Sequence, residues 1–182
     1  MPRKPVISQT DIINAAFKVT KKSGFDSVTA RKLASNAGCS TQPIFRMYFS
    51  MDDLKKDVYV KTEEYFADYC KAQANDNETP FVDMGLNYIT FAKKNTHLFK
   101  LLFVSEEGAK NEFYKNNSYG TGLVAEEKAK AVAKGYKDVD KLFDTVWAYV
   151  QGLGCRVAFG LNGDTTDDYA MQIAELVEKL SK

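Results

Sequence analysis

The sequence predicts an all-α protein, and three observations predict it. Every sustained apolar pattern repeats with helical period. No run of Val and Ile alternates with polar residues as a half-buried strand would. Glycines and capping residues punctuate the chain at helix-length intervals. A hydrophobic content of 45% with 13% aromatic residues supplies a packed core, and 27% charged residues is ordinary for a globular chain, which excludes disorder throughout.

The first helix is expected over about 10–23, with Ile12, Ile13, Ala16, Phe17 and Val19 as one stripe and Gly24 as its end. A second starts at Thr29, carries Leu33, Ala34 and Ala37 inward and stops at Gly38. Ser40 is expected to cap a third, short helix from Thr41 to about Tyr48, with Pro43 tolerated in its first turn. A longer fourth helix begins after Ser50, carries Asp52 and Asp53 in its first turn and ends near Ala74. Further helices are expected over about 80–94, 96–104, 106–116 and 121–134. The last two span 138–161, ended by Gly163, and 166–180.

Net charge is only +1, but it is unevenly spread. Residues 1–60 hold ten Lys/Arg against five Asp/Glu, and the remainder fifteen against nineteen. The basic front half suits a polyanionic partner, and it equally suits an ordinary solvated surface. Cys39, Cys70 and Cys155 are odd in number and widely spaced, which argues for a reducing compartment rather than a disulfide framework. The start lacks a signal core, and no stretch approaches the roughly 18 apolar residues of a membrane span. A cytoplasmic protein with no membrane partner is expected.

The segment from Ser27 to Arg46 fits a helix-turn-helix. Ala34 is small where the two helices cross, Gly38 tolerates positive φ at the turn, and Leu33, Cys39 and Ile44 lock the pair. Such a motif presents the start of its second helix to the DNA major groove. Gln42 matches both major-groove edges of adenine, Thr41 can meet a base edge or a methyl group, and Arg46 can reach guanine or a phosphate. Thr29 and the helix start behind it can hold a phosphate. Thr29 and Ser40 serve equally well as plain helix caps. The candidate DNA contacts are therefore Thr29, Arg31, Ser40, Thr41, Gln42, Phe45, Arg46 and Lys55.

The order Ile-Ile-x-Ala-Ala-Phe, Gly-Phe-x-Ser-Val-Thr, Leu-Ala-x-x-Ala-Gly-Cys-Ser, Ile-Phe-Arg and Ser-x-Asp-Asp-Leu, from Ile12 to about Leu54, resembles the TetR family of regulators. The resemblance implies a three-helix helix-turn-helix domain over 1–49, joined to a larger C-terminal helical ligand-binding and dimerisation domain over 50–182. It also implies a ligand-responsive repressor acting as a homodimer on a palindromic double-stranded DNA operator, with a small-molecule effector. Three positions depart from the family pattern. Phe45 stands where Tyr is usual, Met47 where His or Tyr is frequent, and Met51 where Lys is usual. Three expected backbone contacts are thus apolar, and Arg3, Lys4, Lys32, Lys55 or Lys56 would have to substitute. The departures leave open a relative that has lost DNA binding and works as a protein-interaction module.

In the C-terminal half, Phe66, Tyr88, Phe91, Phe99, Phe103, Phe113 and Trp147 are candidates to line an apolar ligand pocket, or equally to fill the core. Val146, Val150, Leu153, Val157 and Leu161 on one helix, with Ile173, Leu176 and Val177 on the next, are candidates for a dimer interface. Gly152 and Gly154 would allow close backbone approach there. Catalysis is not expected. His97 is the sole histidine, and no metal-ligand spacing, glycine-rich phosphate loop or cofactor motif is present.

Overall fold

The computed structural model describes residues 7–73, 76–161 and 163–180, and every regular element among them is helical. The order is α1 (Gln9–Ser23), a 3₁₀ turn (Phe25–Ser27), α2 (Ala30–Asn36), α3 (Gln42–Met47), α4 (Met51–Lys71), α5 (Val82–Lys94) and α6 (Thr96–Phe99). A π-helical turn (Lys100–Val104) follows, then α7 (Glu106–Asn111), α8 (Phe113–Asn116), α9 (Ser118–Ala133), α10 (Val139–Ala158) and α11 (Thr166–Leu180). None of the described helices is long and apolar enough to cross a membrane. The chain forms two compact units, the first ending at Glu64 and the second beginning at Tyr65, inside α4. The expected end of the fourth helix near Ala74, and Arg3 and Lys4, lie outside the described residues.

In the first unit α1 begins with a reciprocal capping box. The Ser8 hydroxyl accepts the Asp11 N–H at 3.1 Å, and the Asp11 carboxylate accepts the Ser8 N–H at 3.0 Å. Ile12, Ala16 and Val19 point inward, joined by Val28, Leu33, Ala34 and Ile44. Gly38 takes φ +64, and the Cys39 N–H reaches back to the Ala34 carbonyl at 3.0 Å, closing α2 with a left-handed turn. Ser50 caps α4 through the Asp53 N–H at 3.1 Å.

In the second unit α5 packs against both α10 and α11. Gly85 makes this possible, because a Cβ there would come within 2.7 Å of Ile173 Cδ1 and 3.1 Å of Val150 Cγ2. Five boundaries differ from the sequence expectation, each for a local reason. Helix α5 starts at Val82 rather than Pro80, because Phe81 adopts a left-handed conformation in front of it. The helix expected over 96–104 turns into a π-turn whose Ser105 N–H reaches the Lys100 carbonyl, five residues back, at 2.8 Å. The helix expected over 106–116 is split by Glu112 at φ 39. Helix α9 starts at Ser118, since Asn117 Oδ1 accepts the N–H groups of Tyr119 and Gly120. Helix α10 ends at Ala158 because Gly160, not Gly163, takes the left-handed terminating conformation. The Leu161 N–H then closes onto the Arg156 carbonyl at 2.8 Å.

Candidate functional site

The geometry of α2 and α3 decides which side chains of the first unit face outward. Ile44 is buried, which fixes the rotation of α3 and leaves Gln42, Phe45 and Arg46 exposed at helical spacing on its outer side. Thr41 is half-buried at the N-cap, and its hydroxyl makes no capping bond. Ser40 therefore does not cap α3; it is an exposed residue of the turn, whose carbonyl accepts from the Cys39 thiol at 3.1 Å. Thr29 caps α2, its hydroxyl accepting the Lys32 N–H at 3.2 Å, and Arg31 is exposed in the first turn. Lys55 lies 5.5 Å from the centroid of the Phe25 ring, and Lys56 pairs with Asp53 at 3.3 Å.

Two features of this head were not anticipated from sequence. Phe49 is 99% exposed, seven residues beyond Gln42 and just past the end of α3. With Phe45 at 58% and Met47 at 37%, it gives the head an apolar margin. The second is a buried anchor: the Tyr48 hydroxyl donates to Asp57 at 2.7 Å, and the Gln9 amide donates to the same oxygen at 3.1 Å. These bonds tie the end of α3 to α1 and α4. Burial, then the Asp57 hydrogen bond, pushes the Tyr48 phenol up to about 12.

In the second unit the aromatic residues separate into core and cavity wall. Phe66 meets Phe91, Phe103 and Phe113 edge-on, with centroids 4.7–5.2 Å apart. Tyr88 does the same to Phe99, Phe103 and Trp147. Phe66, Tyr88, Phe91 and Phe99 are buried and none of them borders the cavity beside Trp147, so these four expected pocket residues pack in the core instead. Phe103, Phe113 and Trp147 do line a cavity of about 370 Å³, together with Gly108, Glu112, Tyr114, Lys115, Phe143, Asp144 and Gln151. The 144–147–151 spacing was the available signal, one face of one helix. The Tyr114 hydroxyl is buried and has no hydrogen-bond partner among the described residues.

The expected interface residues of α10 and α11 need a similar correction. Val146, Val150, Leu153, Ile173 and Val177 are at most 7% exposed, so the protomer's own core already uses them. Leu161 has left the helix. Val157 and Leu176 are half-buried. Gly154 serves an approach within the chain, for a Cβ there would strike the Tyr88 ring, whereas Gly152 faces open space. The large apolar side chains exposed on this pair of helices are Tyr149, Met171 and Leu180, with Phe159 just past the end of α10. A surface cleft of about 490 Å³ runs between the two helices past Tyr149, Gly152, Arg156 and Gln172. The Tyr149 hydroxyl and Gln172 bond across it at 2.9 Å.

Among the described residues no group of His, Cys, Asp or Glu is placed to hold a metal ion. No family model matches the chain, and no curated protein matches it. Solved structures do. One, described as a TetR-family transcriptional regulator from Vibrio parahaemolyticus, superposes with a TM-score of 0.66 at 18% identity, covering 93% of this chain and 96% of its own. A TetR-like transcriptional regulator from Rhodococcus sp. RHA1 gives 0.64 at 15% identity, over 98% and 97%. A superantigen named pfit gives 0.57 at 16% identity, over 98% and 92%. The chain has the all-helical fold of the TetR-like regulators, with an N-terminal helix-turn-helix and a larger C-terminal helical domain.

Proposed function

We propose that this protein is a sequence-specific DNA-binding transcriptional regulator, a ligand-responsive repressor that acts as a homodimer. The observation that carries the reading is the exposure of Gln42 and Arg46 one turn apart on α3, with Ile44 buried behind them. That arrangement aims an adenine-reading amide and a guanidinium outward from a short helix held by a glycine turn. The basic excess of residues 1–60 supports an anionic partner. A single short helix reads few base pairs, and a two-fold dimer doubles the site. Tyr149, Met171 and Leu180 supply outward apolar area on α10 and α11 for a second copy. The cavity beside Trp147 supplies room for an effector.

Selection from a random-sequence duplex pool tests the reading. A salt-sensitive, sequence-restricted enrichment is expected, relaxed at one position by Gln42→Ala and weakened uniformly by Thr29→Ala. No enrichment at any salt concentration defeats it.

The second reading is a protein-interaction module on the same fold, favoured by the exposed Phe45, Met47 and Phe49. Fold alone does not choose between the two, since sites rather than folds carry function. Under this reading the duplex selection returns nothing, and replacing Phe45 and Phe49 with polar residues abolishes capture of a protein partner.

A further inference from the structure

We propose that Asp57 is a positioning residue for DNA reading. Its carboxylate sets the direction of α3, and with it the aim of Gln42 and Arg46, through Tyr48 rather than through any contact with DNA. The proposal rests on the reading of α3 as the helix that recognises DNA.

A helix as short as α3 does not hold its own direction. Gln42–Met47 completes fewer than two turns, and isolated helices of that length are unstable in water. Within α3 only Ile44 is buried, and Thr41 at its head makes no side-chain cap. One buried side chain fixes where a helix lies, and a second point is needed to fix where it aims. Tyr48, the residue after Met47, is that second point. It is 5% exposed, and its N–H returns to the Ile44 carbonyl at 2.9 Å.

The Tyr48 ring ends on Asp57. Its hydroxyl and the Gln9 amide both donate to Asp57 Oδ2, so one oxygen joins α1, α4 and the end of α3. Packing alone does not close this junction. Beside Asp57, α1 and α4 stand apart around a cleft of about 280 Å³ lined by Thr10, Ile13, Val60 and Lys61.

The lever is short, which makes the junction matter. Ile44 and Tyr48 are four residues apart, about 6 Å along the axis, so a displacement of about 1 Å at Tyr48 tilts α3 by about 10°. That moves recognition side-chain tips by about 1 Å, beyond the roughly 0.5 Å within which a recognition contact has to be held. Charge points the other way. Asp57 is an acid in the basic half of the chain, so acting by charge alone it would weaken binding to every duplex.

Affinities of the full chain for its selected duplex and for a random duplex of equal length test the assignment. Asp57→Ala and Tyr48→Phe should each lower the selected-to-random ratio about tenfold, roughly the discrimination of one base contact. Random-duplex affinity should hold or rise. Asp57→Asn removes the same charge but keeps the acceptor, and it should keep the ratio. The double variant Asp57→Ala/Tyr48→Phe should be no less selective than either single one, because both break one bond. Tyr48→Phe keeps the ring packed, so the ratio stays measurable if Asp57→Ala does not fold. Without DNA, the amides of Arg46, Met47 and Tyr48 should exchange about tenfold faster in Tyr48→Phe than in the unsubstituted chain, with α10 unchanged. Equal losses on both duplexes, which mark a damaged fold, overturn the proposal. So do gains on both, an Asp57→Asn protein as unselective as Asp57→Ala, or unchanged exchange in α3. An unsubstituted chain that selects no duplex ends the regulator reading instead, and the exchange measurement still decides whether the Tyr48–Asp57 bond holds α3.

Discussion

The carboxylate of Glu127 on α9 accepts a hydrogen bond from the backbone N–H of Phe81, 46 residues earlier, at the head of α5. Phe81 sits in a left-handed conformation and gives α5 no side-chain cap. Glu127 supplies both an acceptor and negative charge at the positive end of that helix. It is itself held by Lys130, whose ammonium lies 3.3 Å away and also donates to the Asn77 carbonyl at 2.8 Å.

Glu127→Ala leaves the Phe81 N–H buried without a partner. A loss of about 1–3 kcal/mol is expected from urea unfolding, with Glu127→Gln, which keeps an acceptor, costing less. Equal stability of all three proteins would show that the bond contributes nothing.

Tyr48 sets an alkaline limit. Its folded pKa, about 12, lies above the ordinary phenol value of 10.0. The neutral phenol is therefore the form that folding favours. Its contribution is whole below the ordinary value and is lost as pH rises through the folded one. Buried Tyr88 and Tyr114 shift in the same direction. Tyr48→Phe should cost about 1 kcal/mol at neutral pH. It should also flatten the loss of stability between those two values, measured by unfolding across an alkaline series.

Met51 offers a gain of function. It stands half-buried at the first position of α4. Met51→Lys adds a cation beside the proposed DNA path, so operator affinity should rise, and its salt dependence should steepen by about one logarithmic unit. The lysine also faces a helix N-terminus, which should destabilise the fold by about 0.3–1 kcal/mol. Titrations across a salt series, paired with thermal melts, separate the two effects.

Two glycines two positions apart on α10 should behave oppositely. Gly154→Ala drives a methyl into Tyr88 and should cost about 1–3 kcal/mol. Gly152→Ala meets nothing within 4 Å in the protomer and should leave stability unchanged or raise it by up to about 1 kcal/mol through helix propensity. Gly152→Trp should dissociate the proposed dimer in sedimentation without unfolding the chain. A dimer indifferent to that change moves the interface away from the cleft.

The first unit is legible because its signals are local. Gly38, Thr29 and Pro43 each dictate a backbone geometry within a few residues, and Ile44 between Gln42 and Phe45 sets the facing of α3. The third helix is misread by one residue only, because Ser40 and Thr41 look alike as caps. The second unit is less legible, since a stripe such as Val146–Val150–Leu153 has the same spacing whether its own chain or a second copy covers it. Likewise, an aromatic-rich composition does not tell a filled interior from a lined cavity. Tyr88 and Trp147 touch at 4.9 Å, yet only Trp147 borders the cavity. The left-handed Phe81 and Glu112 carry no sequence mark, because neither residue type favours that conformation.

The chain contains one tryptophan, and it borders the cavity between Phe143 and Tyr114. Indole emission from this protein therefore has a single address. Red-selective excitation reads the polarity of that wall with no background from the reading head. A DNA-dependent change in the emission would register coupling between DNA binding and the cavity, in unlabelled protein and in real time.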